Sequence, residues 1–332
     1  SSCVSSRGEY YFPVSNNKAE GRGRFQVSSY DLYAPGWAYS PDVQFKALDE
    51  NPFMAGEFVW TGMDYLGEPT PFNNDLTNLL NVSDPTEKAK MEAELKTLGK
   101  IRTPSRSSYF GIVDLAGFKK DRFYDYQAHW RPELPMAHIL PHWNWSERVG
   151  QITPVHVYTS GDEAELFLNG KSLGRKKKGP LEYRICWDSV VYQPGVLKVI
   201  AYKDGKKWAE DIQKTSGPAA KLTLQADRNV IKNDGLDLSF VTVTIADKDG
   251  LLVPRSNNLV QFEISGPGEI VGVDNGDATS FESFKAKEHK AFNGLALVIV
   301  RSKPGQPGVI QLKAKSAGLA DSSIQINIGG EK

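Results

Sequence analysis

From Pro132 and Pro135 onward the chain adopts a period of two, and that alternation limits what it can fold into. Val155 and Val157, then Ala164, Leu166 and Leu168, alternate with mostly polar residues, as on strands with one face toward a core. Leu197, Val199 and Ala201 repeat the pattern. Asn169-Gly170 and Asp204-Gly205 are dipeptides that close tight hairpins, because both positions tolerate positive φ. Together they predict a sandwich-like unit of about 80 residues. Thr215-Ser216-Gly217-Pro218 reads as a linker. A second all-β unit is predicted beyond it, from Leu222 and Leu224, a strand holding Phe240, a turn at Asp249-Gly250, and Val260, Phe262 and Ile264. Leu295, Leu297 and Ile299, then Ile310 and Leu312, continue it. The turn spacing points to an immunoglobulin-like sandwich.

Residues 1–133 read differently: aromatic, irregular, and with one well-marked helix. Asp84 is placed to cap it, Pro85 fits its first position, Glu87 completes a capping box, and Gly99 suits the stop. Met91, Leu95 and Leu98 give this helix one apolar side.

The 332 residues leave room for two or three domains, and 40% hydrophobic residues suffice for sizeable cores. Lys+Arg and Asp+Glu both number 40, which argues against a general nucleic-acid surface or an anionic-membrane surface. No apolar run reaches the length of a membrane span. Cys3 and Cys186 lie too far apart in sequence to indicate a disulfide framework or a zinc motif, and the five histidines lack metal-ligand spacing. No metal and no cofactor is expected. The N-terminal Ser1-Ser2-Cys3-Val4 has neither the basic segment nor the apolar stretch of a signal peptide, and the chain reads as a fragment or processed product.

The most informative segment for chemistry is Gly56-Glu57-Phe58-Val59-Trp60-Thr61-Gly62-Met63-Asp64-Tyr65-Leu66-Gly67-Glu68-Pro69-Thr70-Pro71-Phe72. It predicts a short strand ending on Trp60, then a loop with two carboxylates. An indole at a strand end suits stacking on the apolar face of a sugar ring, and its N–H can reach a hydroxyl. By strand parity Glu57 points away from Trp60, so it is read as a structural ion-pair partner and not as a catalytic acid. Asp64 and Glu68 are candidates for accepting hydrogen bonds from sugar hydroxyls, or for fixing the loop through backbone N–H groups.

This segment resembles the eighth strand and following loop of the catalytic barrel in glycoside hydrolase family 2, the β-galactosidase family. Ser5-Ser6-Arg7-Gly8-Glu9-Tyr10-Tyr11-Phe12-Pro13 looks like the segment after the seventh barrel strand. Ser28-Ser29-Tyr30-Asp31 and Trp37 match the approach to strand eight. The run Ser107 to Phe118, and Lys120-Asp121 with Tyr124 and Trp130, are similar to the family's closing segment and final helix. Pro141-His142-Trp143-Asn144-Trp145 resembles the opening of the appended β domain. The resemblance implies a mixed fold: the C-terminal part of a (β/α)8 TIM barrel over 1–133, an immunoglobulin-like β-sandwich over 134–216, and a bacterial immunoglobulin-like sandwich over 217–330.

By the same resemblance, the function is that of a retaining hydrolase of terminal β-galactosides or related β-glycosides. That chemistry needs two carboxyl groups about 5–5.5 Å apart. In the family they sit on strand four and at the end of strand seven, so neither is expected in this chain, and the isolated fragment is expected to be inactive. Trp60, Asp64, Glu68 and Arg7 are the expected substrate-contacting residues, with Arg7 equally readable as part of a structural ion pair. The expected partners are a carbohydrate substrate and the remaining N-terminal part of the same enzyme, with no nucleic acid; the expected location is periplasmic or secreted. The alternative is a non-catalytic module whose sandwiches bind a glycan or a partner protein.

Overall fold

The computed structural model describes residues 3–14, 25–74, 79, 82, 84–101 and 104–329; Ser1 and Ser2 of the N-terminal reading lie outside them. The chain is mostly β-sheet with few helices. It divides into two compact units, the first running to Thr215 and including Asp277–Ser280, the second formed by Ser216–Gly276 and the chain from Phe281 onward.

Among the described residues, the first unit opens with helices α1 (Pro41–Glu50), α2 (Pro85–Leu98) and α3 (Asp121–Trp130). Helix α2 has the predicted ends: the Asp84 side chain accepts from the Glu87 N–H at 2.9 Å, and Gly99 stops it at φ 70°. Its apolar side is not buried among the described residues, and Leu98 is 60% exposed. Strands β1 (Ala137–Leu140), β2 (Val155–Thr159) and β5 (Arg184–Trp187) form one antiparallel sheet in the order β1-β2-β5. Strands β3 (Glu163–Leu168), β4 (Lys171–Lys177), β6 (Val196–Lys203) and β7 (Lys206–Lys214) form a second, ordered β4-β3-β6-β7. Both sheets feed one core containing Val155, Val157, Ala164, Leu166, Ile185, Leu197 and Val199. Asn169-Gly170 and Asp204-Gly205 close the β3–β4 and β6–β7 hairpins with positive φ at all four residues, as their identity predicts. The same core takes in Tyr10, Tyr30, Trp143 and Trp145, so chain from both sides of residue 133 shares one interior.

Gly56–Trp60 is not a strand, contrary to the expectation from its sequence. A strand is defined by its paired neighbour. Here pairing begins only beyond Trp60, where Thr61 N–H meets the Phe110 carbonyl and Met63 bridges Val113 in parallel. The first strand among the described residues is β1, so the segment ahead of it carries helices and isolated bridges.

The second unit holds two sheets. Strands β8 (Lys221–Ala226), β10 (Leu238–Ala246), β12 (Gly268–Asp274) and β14 (Leu295–Ser302) run in the order β12-β14-β10-β8. Strands β9 (Val230–Lys232), β11 (Leu259–Ser265), β13 (Glu288–Lys290), β15 (Gly308–Lys315) and β16 (Ser322–Gly329) run β13-β11-β15-β16-β9. All pairs are antiparallel except β16 with β9. Two parities differ from the sequence reading. Phe240 is 40% exposed, while Val241, Val243 and Ile245 fill the core. On β14 the core takes Ala296, Val298 and Val300, not Leu295 and Ile299. A period of two lets one face win, and on β10 three β-branched side chains in register outweigh one phenylalanine. On β14 every residue from Leu295 to Val300 is apolar, so composition alone does not say which parity turns inward.

Candidate active site

The loop after Trp60 is built on buried charge. Asp64 is 6% exposed; its Oδ1 accepts from the Gly111 N–H at 2.7 Å, and its Oδ2 pairs with Lys120 Nζ at 2.6 Å. Gly111 is required there, because a Cβ would lie 2.2 Å from the Asp64 nitrogen and 2.3 Å from the Val113 oxygen. Lys120 also donates to the carbonyls of Ser5 at 2.8 Å and Tyr109 at 3.2 Å. Burial pushes the Asp64 carboxyl up to about 6 despite the attraction of Lys120, and burial lowers the Lys120 ammonium. At neutral pH the carboxylate is therefore ionised and paired.

Two further buried pairs flank this one. Arg7 Nε lies 2.6 Å from Asp114 Oδ2, and its guanidinium stands 5.0 Å from the centre of the Phe118 ring. Arg122 binds Asp31 Oδ1 through Nε at 3.0 Å and Nη2 at 2.8 Å, and its Nη1 reaches the carbonyls of Cys3 and Phe110. These contacts tie residues 3–7, 31, 64 and 107–122 into one polar layer. Each cation faces a carboxylate, as buried ions require, while Asp31 Oδ2 lacks a hydrogen-bond partner among the described residues.

Above this layer, Trp60 is 56% exposed. Its indole Nε1–H donates to Tyr65 Oη at 2.9 Å, and Tyr65 Oη donates to Glu68 Oε2. Burial, then the bond to Glu68, push the Tyr65 phenol up, so it stays protonated and donates. The two rings meet edge to face, with centroids 6.2 Å apart and planes at 86°. These bonds commit to Tyr65 the Trp60 N–H that the sequence reading offered to a sugar hydroxyl.

The structure thus brings Trp60 and Glu68 together through Tyr65, and places Asp64 and Arg7 in the polar layer with Lys120 and Asp114. Tyr65, Lys120 and Asp114 were not singled out as site residues from sequence. Tyr65 lay inside the motif itself. Lys120 and Asp114 stood in segments read only for their resemblance, because nothing in local spacing shows which distant carboxylate or ammonium a residue will meet. His142, Trp143 and Trp145 form no exposed stacking patch: Trp143 and Trp145 are buried, and His142 stacks on Trp145 with ring centres 4.3 Å apart.

A half-exposed aromatic side chain braced over buried ion pairs suits the apolar side of a pyranose ring, with Glu68 as acceptor for a hydroxyl. Comparison with known proteins gives the family of the chain. Residues 222–325 match the family described as glycoside hydrolase family 2 C-terminal domain 5, and residues 150–209 match a domain of unknown function, DUF4982. The chain is 38% identical to the β-galactosidase BoGH2A of Bacteroides ovatus, over 98% of this chain and 35% of that protein. It is 31% identical to a putative β-glucuronidase of Formosa agariphila, over 78% of this chain and 23% of that protein. Among solved structures, a β-glycosidase from Bacteroides vulgatus superposes with a TM-score of 0.81 at 25% identity, over 99% of this chain and 41% of that one. The chain spans about a third of the length of the first of these curated relatives and less of the second. The chain belongs to glycoside hydrolase family 2 and corresponds to the C-terminal portion of its members.

Proposed function

We propose that this chain is part of a retaining β-glycosidase and supplies one aromatic wall of its sugar-binding site. Trp60 stacks on the sugar, Glu68 accepts a hydroxyl hydrogen bond, and Asp64 and Arg7 act from the layer below by holding the loop in place. The acid/base and nucleophilic carboxylates come from elsewhere in the longer protein, in the other strands of a TIM barrel that residues 1–133 help to complete. The observation that carries this reading is the half-exposed Trp60 side chain, whose N–H is held by Tyr65. Exposed apolar side chains on the same stretch support a covering partner region: Phe53 is 81%, Phe58 100% and Leu66 55% exposed.

A neutral galactoside is favoured over a uronic acid. A uronate needs a cation at its carboxylate, and the three cations of the polar layer, Arg7, Lys120 and Arg122, already face Asp114, Asp64 and Asp31. The test is Trp60→Ala in the full-length enzyme, assayed on aryl β-galactoside and aryl β-glucuronide. Loss of one stacking contact of about 1–3 kcal/mol corresponds to a roughly 5- to 150-fold fall in kcat/KM. The wild type is expected to prefer the galactoside, and the 332-residue chain alone to turn over neither. Unchanged kcat/KM in a folded Trp60→Ala enzyme removes the stacking role, and preference for the glucuronide removes the substrate assignment.

A further inference from the structure

His156 and Cys186 stand directly opposite each other where β2 pairs antiparallel with β5. Opposed residues on paired strands present their side chains on the same face. Asp188, two residues past Cys186, keeps that parity just beyond the strand end. An imidazole nitrogen, the Cys186 Sγ and an Asp188 carboxylate oxygen all lie within 4.8 Å of one another.

Two independent features distinguish this cluster from a chance meeting of polar groups. His156 is 5% exposed, yet its Nδ1 is buried without a hydrogen-bond partner. Leaving such a group unsatisfied is unfavourable, and a bound ligand would relieve it. Cys186 is a free thiol, so its sulfur is not committed to a disulfide. The neighbouring cation on β5, Arg184, does not oppose a metal with unscreened charge: Asp42 holds it through two contacts at 2.7 and 3.0 Å.

We propose that His156, Cys186 and Asp188 form a binding site for a zinc-class divalent cation on the first sandwich. Thiolate with imidazole selects a borderline transition ion over magnesium or calcium, which prefer all-oxygen ligands. Three protein ligands leave a fourth position for water or a further donor. Asp188 also lines an open cavity of about 640 Å³, together with Trp187 and Lys176. On binding, the Cys186 S–H proton passes to solvent as the sulfur–metal bond forms, while His156 donates a neutral lone pair and Asp188 a carboxylate oxygen. The ion would clip β2 to the end of β5 and stabilise the β1-β2-β5 sheet.

The test uses the 332-residue chain, stripped of metal with a chelator and titrated with zinc alone. One equivalent should bind, one proton should be released per ion, and the thermal midpoint should rise relative to chelator. The cobalt form should show a thiolate-to-cobalt charge-transfer band. Cys186→Ser should abolish that band. Asp188→Asn, at an exposed position that leaves packing intact, should weaken zinc binding by more than about 10-fold. The assignment is overturned if the wild type takes up no more zinc than Cys186→Ser, or if Asp188→Asn binds as tightly as the wild type.

Discussion

In the second unit, Val241, Val243 and Ile245 reach the interior by simple alternation along β10, and Val298 and Val300 meet them from β14. Ahead of residue 133 the interior holds, beside apolar side chains such as Val4, Val27, Phe72 and Phe110, the pairs Arg122 with Asp31, Lys120 with Asp64, and Arg7 with Asp114, all nearly or fully buried. The two regions bury chain by different means. One removes apolar area from water and tolerates volume-conserving change. The other depends on partners, so removing one member strands a charge. The second arrangement suits a region that must hold Trp60, Tyr65 and Glu68 in fixed positions, because bidentate and charge-assisted contacts specify direction as well as proximity.

This contrast is open to direct measurement. All seven tryptophans, from Trp37 to Trp208, lie in the first unit, so their fluorescence reports on it alone. Arg122→Ala should have the largest effect, about 3–5 kcal/mol in the fluorescence-detected urea transition, because Asp31 is left buried and unpaired. A loss below about 1 kcal/mol would show that the polar layer contributes little to the fold and would erase the distinction. Leu312→Ala, at a fully buried core position of the second unit, should cost about 2–5 kcal/mol by cavity formation, read from backbone circular dichroism or hydrogen exchange in β15 and its neighbours. Phe240→Ser should be the mildest, within about 0.5 kcal/mol, because its side chain points outward from β10. A Phe240→Ser loss as large as that of Leu312→Ala would restore the inward parity read from sequence.

Several of these features were legible beforehand. The hairpins at Asn169-Gly170 and Asp204-Gly205, the inward faces of β3 and β6, and both ends of α2 follow from local chemistry that needs no distant partner. Where an apolar run had two defensible parities, as on β14, sequence offered no way to choose, since only the facing sheet decides which side is covered. Tyr65 lay within the Trp60 motif. What the sequence reading lacked was the hydrogen-bond chain from Trp60 through Tyr65 to Glu68, and the Lys120 pairing that buries Asp64. His156, Cys186 and Asp188 escaped a search for ligand spacing for the same reason: they meet through strand register and not along the chain.

Sequence by itself determined the β-rich character of the chain, its hairpin turns, the capped helix α2 and the family to which it belongs. Each depends on residues a few positions apart, whose side-chain direction and backbone preference are set by covalent geometry. Tertiary structure alone decided which faces of β10 and β14 turn inward, which carboxylate meets which cation, and that Trp60 stays half exposed while its N–H is taken. Those outcomes depend on burial and on long-range pairing, and a charged or aromatic side chain acquires its role only when its partners arrive from elsewhere in the chain.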